Sequence, residues 1–173
     1  MTSRVLLNGL TRLPGLIVFD LDYTLWPYWC DTHFSTPLRR EHGFVYGSDG
    51  SRYVTYPDSD AILRAVHEHP DILLACASRT AAIDIARNML RLLNWDVLFD
   101  YMEIYPGSKV QHFQRFRKLS GVAFESMIFF DDEERNIVEV GRLGVQTHLV
   151  PRGIDLSLFQ LALKQFDQKD SAR

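Results

Sequence analysis

The run Leu16-Ile17-Val18-Phe19-Asp20-Leu21-Asp22 constrains this chain more than any other stretch. Its four leading apolar residues lack the polar alternation of a half-exposed strand and read as a strand buried on both faces. Strands of that kind belong to parallel sheets covered by helices. In open sheets of this type, ligands bind beyond the carboxyl ends of the strands, so Asp20 and Asp22 arrive together at the expected site. Two acids so close are costly to bury unless a cation neutralises them. The competing reading is a solvated turn with an aspartate capping a helix.

The strand-to-polar pattern recurs downstream. Ile72-Leu73-Leu74-Ala75-Cys76-Ala77 runs into Ser78-Arg79-Thr80, and Met127-Ile128-Phe129-Phe130 runs into Asp131-Asp132. Short strands are expected near Met102-Glu103-Ile104 and from Val145 to Val150. Helical spacing predicts a helix opened by Pro57-Asp58-Ser59, with Ile62, Ala65 and Val66 on one face. A second follows Thr80, placed as its N-cap, with Ile83, Ala86, Leu90 and Leu93 inward. A third starts at Ser108-Lys109, turns Val110, Phe113 and Phe116 inward and ends at Gly121. A fourth runs from Glu134 to Arg142, and a last one, capped by Asp155, carries Leu156, Phe159, Leu163 and Phe166. Strands alternating with helices predict an α/β class: one Rossmann-like, three-layer domain around a parallel sheet.

The expected organisation is an extension at 1–12, the domain at 13–167 and a tail at 168–173. Residues 29–56 have no helical period. Within them, Phe44-Val45-Tyr46 and Tyr53-Val54-Thr55 flank Ser48-Asp49-Gly50-Ser51, which predicts a small β-hairpin flap over the site.

With 173 residues, 46% of them hydrophobic, the chain can bury a full core. A net charge of −3 without basic stripes argues against a nucleic-acid surface or a polybasic membrane patch. No apolar run approaches the roughly 18 residues of a membrane span. Cys30 and Cys76 do not make a disulfide framework, which points to an intracellular, cytoplasmic setting; the sequence leaves the oligomeric state open, with a monomer the expectation. Arg4 and Arg12 with Val5, Leu6, Leu7 and Leu10 faintly resemble an organellar transit segment; a frayed extension is the expectation.

Three strand ends thus offer Asp20/Asp22, Ser78/Arg79/Thr80 and Asp131/Asp132, and a helix start offers Lys109. A carboxylate attacking phosphorus needs a divalent cation to quiet the repulsion between anions. It also needs a lysine on the reacting oxygens and a hydroxyl donor to the phosphate. Magnesium suits such an all-oxygen set, whereas structural zinc would need clustered His and Cys.

These residues resemble the haloacid dehalogenase superfamily of aspartate-nucleophile phosphotransferases. Its four motifs are matched in order by Asp20-Leu21-Asp22-Tyr23-Thr24, Ser78, Lys109, and Asp131-Asp132 followed by Asn136. The stretches Phe19–Pro27, Ala77-Ser78-Arg79-Thr80, Glu103–Val110 and Phe129-Phe130-Asp131-Asp132-Glu133 resemble more closely the eukaryotic magnesium-dependent phosphatases, over about Leu13 to Gly153. The resemblance implies that Asp20 is the nucleophile, passing through an aspartyl-phosphate, and that Asp22 is the general acid and base. It implies a magnesium ion held by the Asp20 side chain, the Asp22 carbonyl and the Asp132 side chain, with Asp131 behind them. The Leu21 and Arg79 amides, the Ser78 hydroxyl and Lys109 would hold the phosphoryl oxygens. Such relatives lack a large cap domain, and 29–56 is too short for one. They are associated with phosphotyrosine-like groups and with phosphorylated sugar adducts on amines, so the partner expected is a small phosphorylated substrate. Trp29 and the Arg79 side chain are the candidate contacts beyond the phosphate; for Trp29 the alternative is loop core.

Other readings fare less well. An EF-hand loop starting at Asp20 would need glycine where Leu25 stands. A cysteine phosphatase would need arginine where Thr36 or Ala82 stands. A phospho-acceptor signalling domain also combines aspartates, a hydroxyl, a lysine and magnesium. Its paired acids, however, precede the phosphorylated aspartate, with no second carboxylate two residues after it. An inactive phosphate-binding module would be expected to have lost one of the motif residues.

Overall fold

In a computed structural model, residues 7–169 are described. The sheet is built from β1 (Leu16–Phe19), β5 (Leu73–Ser78), β6 (Tyr101–Ile104), β7 (Met127–Asp131) and β8 (Gln146–Leu149), in the order β6-β5-β1-β7-β8. All its pairings are parallel. The expected α/β class and parallel sheet are therefore found, with β1 central.

Every residue of β1 is fully buried, as its unbroken apolar run requires. Successive side chains point to opposite faces and so enter two different cores. Ile17, Phe19, Cys76, Ile128 and Phe130 pack against α1 (Ser59–His67), α2 (Ile83–Leu92) and α5 (Leu156–Gln168). Leu16, Val18, Ala75, Ala77 and Phe129 pack against α3 (Lys109–Ser120) and α4 (Glu134–Gly141). Phe19 stacks on Phe130 with ring centroids 5.0 Å apart, locking the two central strands just below their polar ends. Truncating Phe19 to alanine would cost about 3–5 kcal/mol of stability by opening a cavity there.

Helix ends follow the expected chemistry in part. Ser108 caps α3 by accepting from the Val110 amide, Asp155 caps α5 by accepting from the Leu158 amide, and Gly121 closes α3 at φ 72°. Thr80 does not cap α2: that helix starts at Ile83, and the Thr80 hydroxyl accepts from the Ala82 amide at 3.1 Å, inside the preceding turn. Phe113 and Phe116 are buried, whereas Val110 is only half-buried; Lys109 and His112 take the remaining buried positions of α3.

The hairpin is a three-stranded antiparallel sheet of β2 (Arg39–Glu41), β3 (Phe44–Tyr46) and β4 (Arg52–Tyr53). β2 escaped notice because its residues are charged and exposed, and because its turn is His42-Gly43. Both turn residues have positive φ, 50° and 84°, which a two-residue hairpin turn of this hand demands and histidine seldom supplies. Val45 and Tyr53 bury one face against the main core, and Arg40 reaches the Leu92 carbonyl at the end of α2. Segment 7–12 is docked, where a frayed extension was expected. Leu7 is buried, and the Asp167 carboxylate accepts from the Thr11 and Arg12 amides at 2.8 and 2.6 Å. Arg4, Val5, Leu6 and residues 170–173 lie outside the described residues. Among the described residues, no helix is long and apolar enough to cross a membrane.

Candidate active site

Asp20 follows directly on β1, Ser78 and Asp131 are the last residues of β5 and β7, and Lys109 opens α3. The Asp20 amide continues the ladder to the Phe130 carbonyl at 2.9 Å, so the nucleophile candidate is held by the sheet itself. Chain direction reverses immediately afterwards. Tyr23 takes φ 57°, rare for a non-glycine residue, and the Tyr23 amide donates to the Trp26 carbonyl at 2.7 Å. That turn sends Leu21 and Leu25 into the core and leaves Asp20 and Asp22 at the rim.

A cleft of about 300 Å³ opens at these strand ends, lined by Asp20, Asp22, Trp29, Asp31, Thr32, Ser78, Arg79, Thr80, Lys109, Asp132, Glu133 and Asn136. It gathers every expected side chain of the site. Leu21 takes no part through its side chain, which is buried in the core. The small sheet does not cover the cleft: no residue of β2, β3 or β4 lines it. The loop at 29–32 does so instead.

Lys109 Nζ sits between two carboxylates, 2.7 Å from Asp20 Oδ1 and 2.5 Å from Asp131 Oδ2. Burial works against its ammonium, but the charges of Asp20 and Asp131 outweigh it, and its pKa stands above the ordinary lysine value. Asp20 Oδ2 accepts from the Thr24 hydroxyl at 3.0 Å, fixing the carboxylate from its other side. Asp131 accepts also from the Asn136 amide at 3.0 Å and the Glu133 backbone at 2.8 Å. One carboxylate oxygen from each of Asp20, Asp131 and Asp132 lies within 4.8 Å of the others. Burial first and then the Asp131 charge raise the Asp20 pKa well above the usual carboxylate range, with Lys109 offsetting only part. Asp132 is pushed up to about 6, chiefly by burial and also by the charges of Asp131 and Glu133. One lysine among three close carboxylates leaves negative charge uncompensated, and an all-oxygen donor set of this kind fits magnesium.

Asp22 is gripped by three donors: Trp26 Nε1 at 2.8 Å and Cys30 Sγ at 3.0 Å on Oδ1, and the Cys30 amide at 3.1 Å on Oδ2. Burial raises its pKa, against the pull of these hydrogen bonds. Neither Trp26 nor Cys30 was singled out from sequence; they reach Asp22 through a loop without periodicity. Arg79 donates to Asn136 Oδ1 at 3.3 Å, while its Nε is buried without a partner among the described residues. Trp29 is 50% exposed, which weighs against the loop-core reading. Its ring meets Tyr23 edge-on at 5.2 Å and stacks on His33 at 5.4 Å.

Known proteins share this architecture. A Had-superfamily hydrolase from Ehrlichia chaffeensis superposes with a TM-score of 0.64 over 90% of this chain and 98% of its own, at 10% identity. A phosphatase domain from Bacteroides fragilis, solved in complex with magnesium, gives 0.60 over 90% of this chain and 40% of that one, at 15% identity. At such identities the likeness is one of fold. Sequence relatives are nearer: magnesium-dependent phosphatase 1 of Homo sapiens is 42% identical over 158 residues, 91% of this chain and 89% of its own. A HAD-like hydrolase superfamily protein of Schizosaccharomyces pombe is 38% identical over 146 residues, 78% of this chain and 84% of its own. The family model described as acid phosphatase matches residues 12–169, and the chain therefore belongs to that family.

Proposed function

We propose that the protein is a magnesium-dependent phosphomonoester hydrolase working through an aspartyl-phosphate on Asp20. The observation that carries this reading is the placement of Asp20, at the end of the central strand, 2.7 Å from a buried lysine and beside two further carboxylates in an open cleft. Human magnesium-dependent phosphatase 1, 42% identical, supports the magnesium-dependent phosphatase part of this reading.

Asp20, the Asp22 carbonyl and Asp132 would hold the magnesium. When bound, it supplies positive charge beside the phosphate and relieves the crowding of carboxylates. Asp131, already engaged by Lys109, Asn136 and Glu133, serves to hold the lysine. An Asp20 carboxylate oxygen attacks phosphorus as the ester P–O bond breaks, and the departing oxygen takes its proton from Asp22. Water then attacks the phosphorus of the acyl phosphate and gives a proton to Asp22, releasing phosphate and restoring Asp20. The raised pKa of Asp22 favours carrying that proton. Lys109, the Leu21 and Arg79 amides and the Ser78 hydroxyl hold the phosphoryl oxygens. Ser78 Oγ accepts from the Thr80 amide at 3.3 Å, which turns its own hydrogen free for a ligand. The unpartnered Nε of Arg79 supports a ligand oxygen on that wall.

Beyond the phosphate, the exposed indole of Trp29 forms a platform for leaving groups of phosphotyrosine or sugar-amine type. The domain is taken to span 13–167. The test is phosphate release from aryl phosphates, phosphotyrosine peptides and phosphosugars, with magnesium and with excess chelator. Turnover that chelation abolishes is expected; full activity in chelator after dialysis rejects the metal assignment, and a single phosphorylation without turnover favours the phospho-acceptor alternative.

A further inference from the structure

Trp29 is tied to one residue by three separate contacts. Its backbone N–H donates to His33 Nδ1 at 2.8 Å, its carbonyl accepts from the His33 amide at 2.9 Å, and the two rings stack at 13°. An amide N–H directed at Nδ1 requires that nitrogen to be unprotonated, so the proton of the neutral imidazole is on Nε2. His33 is anchored in turn. Its carbonyl accepts from the hydroxyl of buried Tyr53 at 2.9 Å, and that hydroxyl accepts from the Ser35 amide at 2.8 Å. Tyr53 belongs to β4, so the small sheet that stays outside the cleft reaches it through His33.

We propose that His33 is the positioning residue for the Trp29 platform and thereby a determinant of leaving-group preference, an inference that rests on the hydrolase reading above. An exposed tryptophan left to itself would sample several rotamers and lose that freedom on binding. Held in advance, it meets the leaving group at lower entropic cost. His33 itself does not line the cleft.

The test compares the full-length protein with His33→Ala, His33→Asn and Trp29→Ala, loaded with magnesium, on 1-naphthyl phosphate and methyl phosphate. Asparagine Oδ1 replaces the Nδ1 acceptor without the ring. His33→Ala is expected to lower the naphthyl-to-methyl ratio of kcat/KM about threefold to tenfold, through KM, the scale of one aromatic contact. It should also speed hydrogen exchange at the Trp29 amide, and His33→Asn should restore the protection and most of the ratio. If Trp29→Ala changes the ratio and His33→Ala does not, the positioning role fails while the hydrolase reading stands. Equal losses on both esters with a lower melting temperature, or an asparagine variant no better than alanine, overturn it as well. Should the unaltered protein release phosphate from neither ester, the hydrolase reading itself falls. Unchanged Trp29 exchange in His33→Ala then overturns the positioning role on its own.

Discussion

Lys109 and Trp29 face the same cleft from opposite physical surroundings. Lys109 is 1% exposed, hydrogen-bonded to Asp20 and Asp131 and seated 5.2 Å over the Phe129 ring. Trp29 is 50% exposed, on a loop whose anchor is another exposed side chain, His33. At the lysine end, each polar group is held by partners on different strands and helices, so no member can move alone. At the tryptophan end the backbone and stacking ties to His33 lie within five residues, a ring contact to Tyr23 lies beside them, and one anchor, the Tyr53 hydroxyl on the His33 carbonyl, comes from β4. The difference supports a division of labour in the proposed mechanism: the groups assigned to the phosphate, common to every monoester, stand at strand ends and a helix start, while the group assigned to the variable leaving group stands on a loop.

The predictions test that division, beginning with the largest effect. Asp20→Asn should leave no measurable phosphate release and no acid-stable phosphoenzyme in a rapid-quench trap; a residual burst would move the nucleophile elsewhere. Lys109→Ala should cost activity and stability together, because it strands Asp20 and Asp131 as neighbouring buried charges. The expected stability loss in urea unfolding is about 3–5 kcal/mol, and a variant that stays stable would break the claim that this end is interlocked. Asp22→Asn should slow alkyl phosphates by roughly 10²–10⁴-fold and activated aryl phosphates much less, since proton donation matters most to poor leaving groups. Equal losses across a leaving-group series would remove Asp22 from the acid role.

A fourth prediction concerns the metal at the buried end. The Asp132 carboxyl is pushed up to about 6 from its ordinary 3.8, so the metal-free fold binds protons more tightly than the unfolded chain and loses stability as pH rises through that window. Magnesium requires the ionised carboxylate. Its stabilising effect in thermal melts should therefore be large near pH ~7.5 and fade towards pH ~5; an equal shift at both would place the ion elsewhere. The smallest effect belongs to the loop. Trp29→Ala should raise KM for large aryl phosphates about threefold to tenfold, with unfolding free energy changed by no more than about 0.5 kcal/mol. A marked fall in stability would make Trp29 a core residue after all and dissolve the contrast.

Fold and motif order were legible because they depend on local pattern. Unbroken apolar runs at Leu16–Phe19 and Met127–Phe130 announce strands buried on both faces, and the acids that follow them announce the rim. Helical stripes such as Phe113 with Phe116 announce the covering layers. Less legible were the elements whose signals are weak or borrowed from unusual residues, such as charged β2 with its His42-Gly43 turn, and Thr80, whose hydroxyl serves a turn rather than a helix end.

What the sequence determined by itself is the arrangement of chemistry along the chain: which residues end strands, and that two acids, a hydroxyl, a lysine and two more acids come in that order. Periodicity and propensity act over a few residues, and these features need nothing longer. Only the tertiary structure decided that Lys109 lies between Asp20 and Asp131, separated from them by 89 and 22 positions, and that Trp26 and Cys30 grip Asp22. It also decided that the small sheet reaches the cleft through Tyr53 and His33 rather than by covering it. Contacts of this kind, whether between distant elements or across an aperiodic loop, depend on how the chain packs, and on the desolvation and charge pairing that packing imposes, which no local pattern encodes.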